Sequence, residues 1–395
     1  MPEKPNENLI KDITKKSEKE SGADLEVSSS PELAHLSESI GAMQNFINHD
    51  KPVKFIQLLQ IEEAVKKLTV NMGGWEFSIE ELEKIPDFEK NAKIWKEISQ
   101  GDCSNTDKLT FITPEIAEHF SHHQGALVLS GLTSLSDKAA KYLSHHQGGL
   151  DLSSLTSLSD QAAECLSHYQ GILVLSGLTS LSDQVAEYFS RHQENLGLSG
   201  LTFISDQAAE YLSRHQGNLN LSGLTSLSDQ AAEYFSRHQG ALYLRRLTSL
   251  SDKAVEYLSR HQGDLDLSNP TSLSDQAAEY LSHHQGALAL SGLTSLSDKA
   301  AEHLSQHEGD LSFNSLTSIS NKVAEYLSRH QGLLLLNGLT SLSDKIAEHF
   351  SHHQGTLHLR GLTSLSNQAA AHLAKHKGKI YTGYDIKKQI EKLRK

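Results

Sequence analysis

From about Leu109 to Lys379 the chain repeats one apolar and polar pattern. Gly125 to Gly148 shows it. Leu127 and Leu129 alternate with Val128, which predicts a short strand with one buried face. Leu132 and Leu135 carry the apolar set through a Ser, Gly and Thr turn. Ser136-Asp137 then opens a helix whose inward face is Ala139, Leu143 and His146, at i, i+4 and i+7, with Tyr142 alongside. The helix register comes from the first repeat, where Thr113-Pro114 replaces Ser-Asp. Proline favours the first helical position, so Thr113, and by alignment Ser136, is the N-cap. The pattern places the helix end at the His-Gln-Gly column, with Gly148 as a left-handed C-cap.

The marker glycine recurs every 23 residues, at 125, 148, 171, 217, 240, 263, 286, 309, 332, 355 and 378, with Glu194 in the remaining slot. No repeat can bury its apolar face alone, so the turns must stack into a solenoid. Strands about 4.8 Å apart and helices about 8–10 Å apart would bend it, strands on the concave side.

The Leu-x-Leu strand, the strand-plus-helix unit and the repeat length resemble the leucine-rich-repeat (LRR) family, over about two thirds of the chain. One departure is visible. Aligning Leu127-x-Leu129 with the family strand puts Leu132 at the Asn/Cys ladder position and Ser134 at the next Leu position, with Leu135 one place late. The resemblance implies an LRR or LRR-like right-handed α/β solenoid of about 12 turns. It also implies a non-catalytic scaffold that binds a protein partner on its concave face.

Around this block, residues 1–29 are polar and charge-mixed and read as a disordered tail. Residues 30–50 open with Ser30-Pro31 and carry Leu33, Leu36, Ile40, Met43 and Ile47, one amphipathic helical stripe. Residues 52–100 read as a small helical unit or cap: a Phe55–Leu68 helix, a turn at Asn71–Trp75, a capping box at Ser78–Glu81, an interruption at Pro86, and helix again at Ile94–Ile98. Residues 101–108 read as a linker, 109–378 as the solenoid, and 379–395 as a last strand with a basic capping helix closing the stack through Ile386, Ile390 and Leu393.

Charge and composition narrow the function. A formal charge of −13 without a basic run argues against nucleic-acid binding. Cys103 and Cys165 are the only cysteines, so no disulfide framework exists. No apolar signal core or membrane-spanning stretch is present, which makes a cytoplasmic protein the default and leaves leaderless export open. No cofactor motif occurs, since the lone glycines do not form a phosphate loop.

Histidine is the outlier, with 23 residues. A His falls two places before the marker glycine in every turn from His123 to His376 except at Tyr169. One inward imidazole per turn does not converge on a metal ion. The expected role is packing, with a ring nitrogen meeting a helix-end carbonyl. The positions that vary are on the strand face, where Asn218, Asn220, Tyr243, Arg245, Arg246, Asp264 and Asp266 cluster. Tyr and Arg are residue types enriched at interface hot spots. Three functions stay open: a scaffold using that face, an enzyme with chemistry in residues 52–100, and a metal- or pH-responsive protein using the His column.

Overall fold

The computed structural model describes residues 69–72, 75–78, 88–99 and 102–394. The stripe at 30–50, the helix expected at 55–68 and most of the capping box lie outside them. The chain divides into two compact units, Met1–Phe111 and Ile112–Lys395, so the boundary falls just after the expected solenoid start at 109.

In the first unit, β1 (Thr69–Met72) and β2 (Trp75–Ser78) form an antiparallel pair, Met72 opposite Trp75. The Asn71–Trp75 turn thus belongs to a hairpin, which corrects the all-helical expectation for 52–100. Gly73-Gly74 between alternating residues is a hairpin signal. The resumed helix is α1 (Phe88–Ser99), with Ile94, Trp95 and Ile98 buried. Its buried Asn91 clasps Thr110 twice: the side-chain amide donates to Thr110 Oγ1 at 2.9 Å and the carbonyl oxygen accepts from Thr110 N at 3.0 Å.

The second unit is an α/β solenoid. Twelve parallel strands, from β3 (Leu127–Val128) to β14 (Ile380–Thr382), pair in strict sequence order. Helices alternate with them, from α2 (Pro114–Ser121) to α14 (Tyr384–Glu391). Register is fixed by like residues, Leu127 beside Leu150 and Leu242 beside Leu265. The capping logic holds. Thr113 accepts from Ile116 N, and Ser136 accepts from Ala139 N at 3.2 Å. Most of the later caps also reach the turn before them: Ser205 Oγ donates to Asp183 at 2.5 Å and Ser274 Oγ to Asp252 at 2.9 Å. The Asp column therefore joins turns as well as favouring the helix N-terminus.

Two expectations need correction. The helices are shorter than expected: α3 (Asp137–Leu143) stops three residues before His146, where the His-Gln-Gly column begins, capped by Ser144 in the right-handed region. The marker glycine is therefore not a helix cap. Among the described glycines only Gly125 and Gly148 have positive φ, 104° and 141°. What the column needs is room. A Cβ on Gly171 would sit 1.8 Å from the Gly148 carbonyl oxygen, and one on Gly355 2.0 Å from that of Gly332. Successive turns touch backbone to backbone here.

The core follows the repeat. Leu127, Leu129, Leu132, Ala139, Leu143 and His146 are all buried. So is Ala140, which the i, i+4, i+7 reading left out. Each helix has a helix on either side, so its buried stripe is wider than one strand layer requires. Leu132, at the family's Asn/Cys position, is fully buried and its N–H closes a turn onto Leu129 O at 3.0 Å. At the far end α14 buries Ile386 and Ile390, while Leu393 stays 42% exposed and does not help close the stack.

The glycine column makes a test. Gly240→Ala would place a Cβ 2.3 Å from Gly217 O. Overpacking of this kind should destabilise the solenoid by about 1–3 kcal/mol. Gly383→Ala, with nothing within 4 Å of the new atom, is the control. Equal urea midpoints for the two variants would show that the turns can spread.

Candidate functional site

Two arrangements stand out: a ladder of rings inside the solenoid and a polar cluster on its strand face.

The ladder contains His123, His146, Tyr169 and then the His at every 23-residue step from His192 through His376, each ring parallel to the next. Centroids lie 5.7–6.3 Å apart and interplanar angles are 2–14°. His146 shows why the ring sits there. Its Nδ1 lies 3.0 Å from Phe120 O, in the last turn of α2, and its Nε2 2.9 Å from Gly125 O. His376 repeats the pattern at 3.2 Å to both Phe350 O and Gly355 O. The expected helix-end carbonyl is met, and the glycine carbonyl is a second partner that sequence spacing did not reveal. Tyr169 donates to the matching carbonyl, Gly148 O, at 2.7 Å. In the inner turns the contacts are poorer: Phe189 and Glu194 carbonyls lie against His215, yet neither nitrogen makes a well-formed hydrogen bond.

Chemistry follows from that geometry. The nitrogens point sideways at backbone oxygens, so the lone pairs of adjacent rings do not converge. Among the described residues no three His, Cys, Asp or Glu side chains are placed to hold a metal ion. A neutral imidazole carries one N–H, so one of its two carbonyl contacts is made without a proton. Protonation would satisfy both carbonyls but bury a charge beside its neighbours. Burial wins. It lowers His215, His238, His284 and His353 to about 4, helped by the charge of adjacent rings. Burial also lowers His192, His261, His307, His330 and His376.

The strand-face residues divide. Tyr243, Arg245 and Asp266 come together across β8 (Leu242–Tyr243) and β9 (Leu265–Asp266). Arg245 Nε donates to Asp266 Oδ2 at 2.6 Å, and its guanidinium carbon lies 5.2 Å from the Tyr243 ring centre. The Arg245 side chain is 56% exposed and that of Asp266 13%. Arg246 is exposed on the following turn. The other three are engaged in the frame. Asn218 Oδ1 accepts from Ala241 N at 2.8 Å and Asp264 Oδ1 from Ala287 N at 2.9 Å, each tying its turn to the next. Asn220 Oδ1 accepts from Ser222 N at 3.0 Å, closing its own turn.

The loops behind the cluster are irregular. Leu247 N reaches Leu244 O only at 3.4 Å, and Pro270 has no N–H for the same bond one turn later. Asn269 bridges the gap, donating to Leu247 O at 3.1 Å. A second grouping was missed: His358 and Tyr381, rings 4.5 Å apart, with Arg360 5.9 Å from the Tyr381 centre. The signal was present, since both turns replace small residues with aromatic and cationic ones.

The ladder predicts a pH dependence. The nine imidazoles from His192 to His376 have folded pKa values depressed below the unfolded value of about 6.5, so the unfolded chain binds more protons in acid. Their stabilisation is complete above about pH 6.5 and is lost as pH falls from there towards 4, each titrating ring removing up to about 1.4 kcal/mol per pH unit. Chemical denaturation should give a lower midpoint at pH 5.5 than at pH 8. His215→Tyr/His238→Tyr, copying Tyr169, should flatten the difference. Equal midpoints in the parent chain would refute the buried neutral ladder.

No family model and no curated protein matches the chain. Solved structures do. One is a chain of the Toll–Spatzle complex, described as a molecular hub in Drosophila development and innate immunity: 13% identity, TM-score 0.47, covering 68% of this chain and 38% of that one. An internalin from Listeria monocytogenes gives 16%, 0.38, 69% and 89%, and a chain of the TLR13–ssRNA13 complex 16%, 0.40, 67% and 37%. The chain thus spans well under half of the Toll–Spatzle chain it matches. Its own geometry, twelve parallel two- or three-residue strands each followed by a helix at a 23-residue step, makes the second unit an LRR-like α/β solenoid.

Proposed function

We propose that this chain is a non-catalytic interaction scaffold that binds a protein partner through the strand face of the solenoid. The observation that carries the reading is the Tyr243–Arg245–Asp266 assembly. An aromatic ring and a carboxylate hold a guanidinium in place on an exposed surface, between turns whose equivalent sites are small, such as Gly197 and Ala289. Only Nε is used, so the Nη edge can take a partner carboxylate in bidentate fashion. Holding the side chain before binding lowers the entropy lost on association. Arg246 extends the positive surface, which fits an acidic or mixed polar partner.

The recurring Ser, His and Asp support the non-catalytic reading. The Ser caps a helix, the Asp receives the next cap hydroxyl, and the His sits in the ladder. Each has a frame role in turn after turn. Among the described residues no helix is long and apolar enough to cross a membrane.

The test begins with partner capture by the full chain and proceeds to titration. Tyr243→Ala and Arg245→Ala should each weaken binding by about 1–2 kcal/mol, with the circular dichroism spectrum unchanged. An affinity unaltered by the double substitution would remove the site from this face.

A further inference from the structure

We propose that the open edge of β14 is a second docking site, which takes an extended acidic segment of a partner protein as a thirteenth strand. It lies at the end of the ladder and is independent of the strand-face cluster.

The ladder has a direction. The N–H at the first Leu position of each strand donates to the turn that follows: Leu311 to Leu333 O at 2.9 Å, Leu334 to Thr356 O at 2.9 Å, Leu357 to Lys379 O at 2.8 Å. The second Leu position does the same, as Leu336 to His358 O at 2.9 Å. Ile380 and Thr382 are in register with Leu357 and Leu359. Their N–H groups therefore point to the side where a further turn would lie, and among the described residues β13 (Leu357–Leu359) is the one strand beside β14.

Beside that edge a cavity of about 180 Å³ opens between β14 and α14. Ile380 and the buried Ile390 give it an apolar floor. Lys379, Lys387 and Arg394 line it against one carboxylate, Glu391, which pairs with Lys387 at 3.7 Å. This local excess of cations stands on a chain whose formal charge is −13.

Each feature specifies part of the occupant. Edge donors on alternate residues ask for the carbonyls of an extended backbone. The cavity accepts an apolar side chain at the inward position of such a strand. Lys379, Lys387 and Arg394 ask for carboxylates along the segment. Asp264-Leu265-Asp266-Leu267 of this chain has that alternation and contains β9 inside the ladder, so the pattern is compatible with the register.

The probe is a labelled synthetic peptide, Gly-Asp-Leu-Asp-Leu-Ser, titrated against the full chain by fluorescence anisotropy. The acidic peptide should bind at least about tenfold more tightly than one with Lys in place of both Asp. Lys379→Glu/Lys387→Glu should weaken it by about tenfold at unchanged melting temperature. Thr382→Pro, which deletes an edge N–H that the ladder does not use, should weaken it independently of charge. Tyr243→Ala/Arg245→Ala should leave it unchanged, which separates this site from the strand-face site. Equal binding of the acidic and basic peptides, or indifference to the charge reversal, would overturn the proposal. So would absence of peptide binding together with a dimer in sedimentation that Thr382→Pro dissociates, because the edge would then belong to a second copy.

Discussion

Contact between the backbones of successive turns governs this solenoid. Where Gly171 meets Gly148, or Gly355 meets Gly332, there is no space for a side chain, and the approach sets how far one turn lies from the next. The other stacked columns accept that spacing. Strand leucines pair in register, cap serines reach the preceding aspartates, and imidazole rings lie about 6 Å apart. The ring separation exceeds the roughly 4.8 Å of paired strands. The turns therefore fan outward from the strand side, as helices needing more room than strands require.

The ladder shows two demands in opposition. Each ring fills the space behind a strand and faces two carbonyls, an arrangement that a doubly protonated imidazole would satisfy best. Burial and the next ring forbid it, and the column stands neutral with incomplete hydrogen bonding through its middle. Tyr169 meets the same carbonyl column with a hydroxyl and no such conflict. Packing at a fixed spacing thus outranks full satisfaction of polar atoms in the turns from His192 to His353.

The sequence disclosed what repeats and hid what depends on approach. Thr113-Pro114 located the helix starts of the repeats, because proline is favoured at the first helical position. The helix ends were harder, since a glycine after a helix reads as a cap whether it turns the chain or merely makes room; Gly171 makes room. Ala140 escaped because a single helix pattern does not reveal neighbours on both sides. In the strand-face cluster, composition marked the turns with unusual residues but could not separate Tyr243, Arg245 and Asp266, which touch one another, from Asn218 and Asp264, whose side chains bind backbone one turn away. The hairpin at Thr69–Ser78 was obscured by reading its glycine pair as a link between helices.

A column of near-identical turns raises a problem of address. Any turn of this chain could in principle dock on a turn two places distant, since the capping, strand and glycine contacts would be remade almost unchanged. What differs is core volume. Phe120, Phe189, Phe235 and Phe350 stand where other turns have Leu, and Ile116, Val185, Val323 and Ile346 where others have Ala. These bulkier residues act as labels that fit only their own neighbours, so that a mispaired chain carries voids and clashes that the native order avoids.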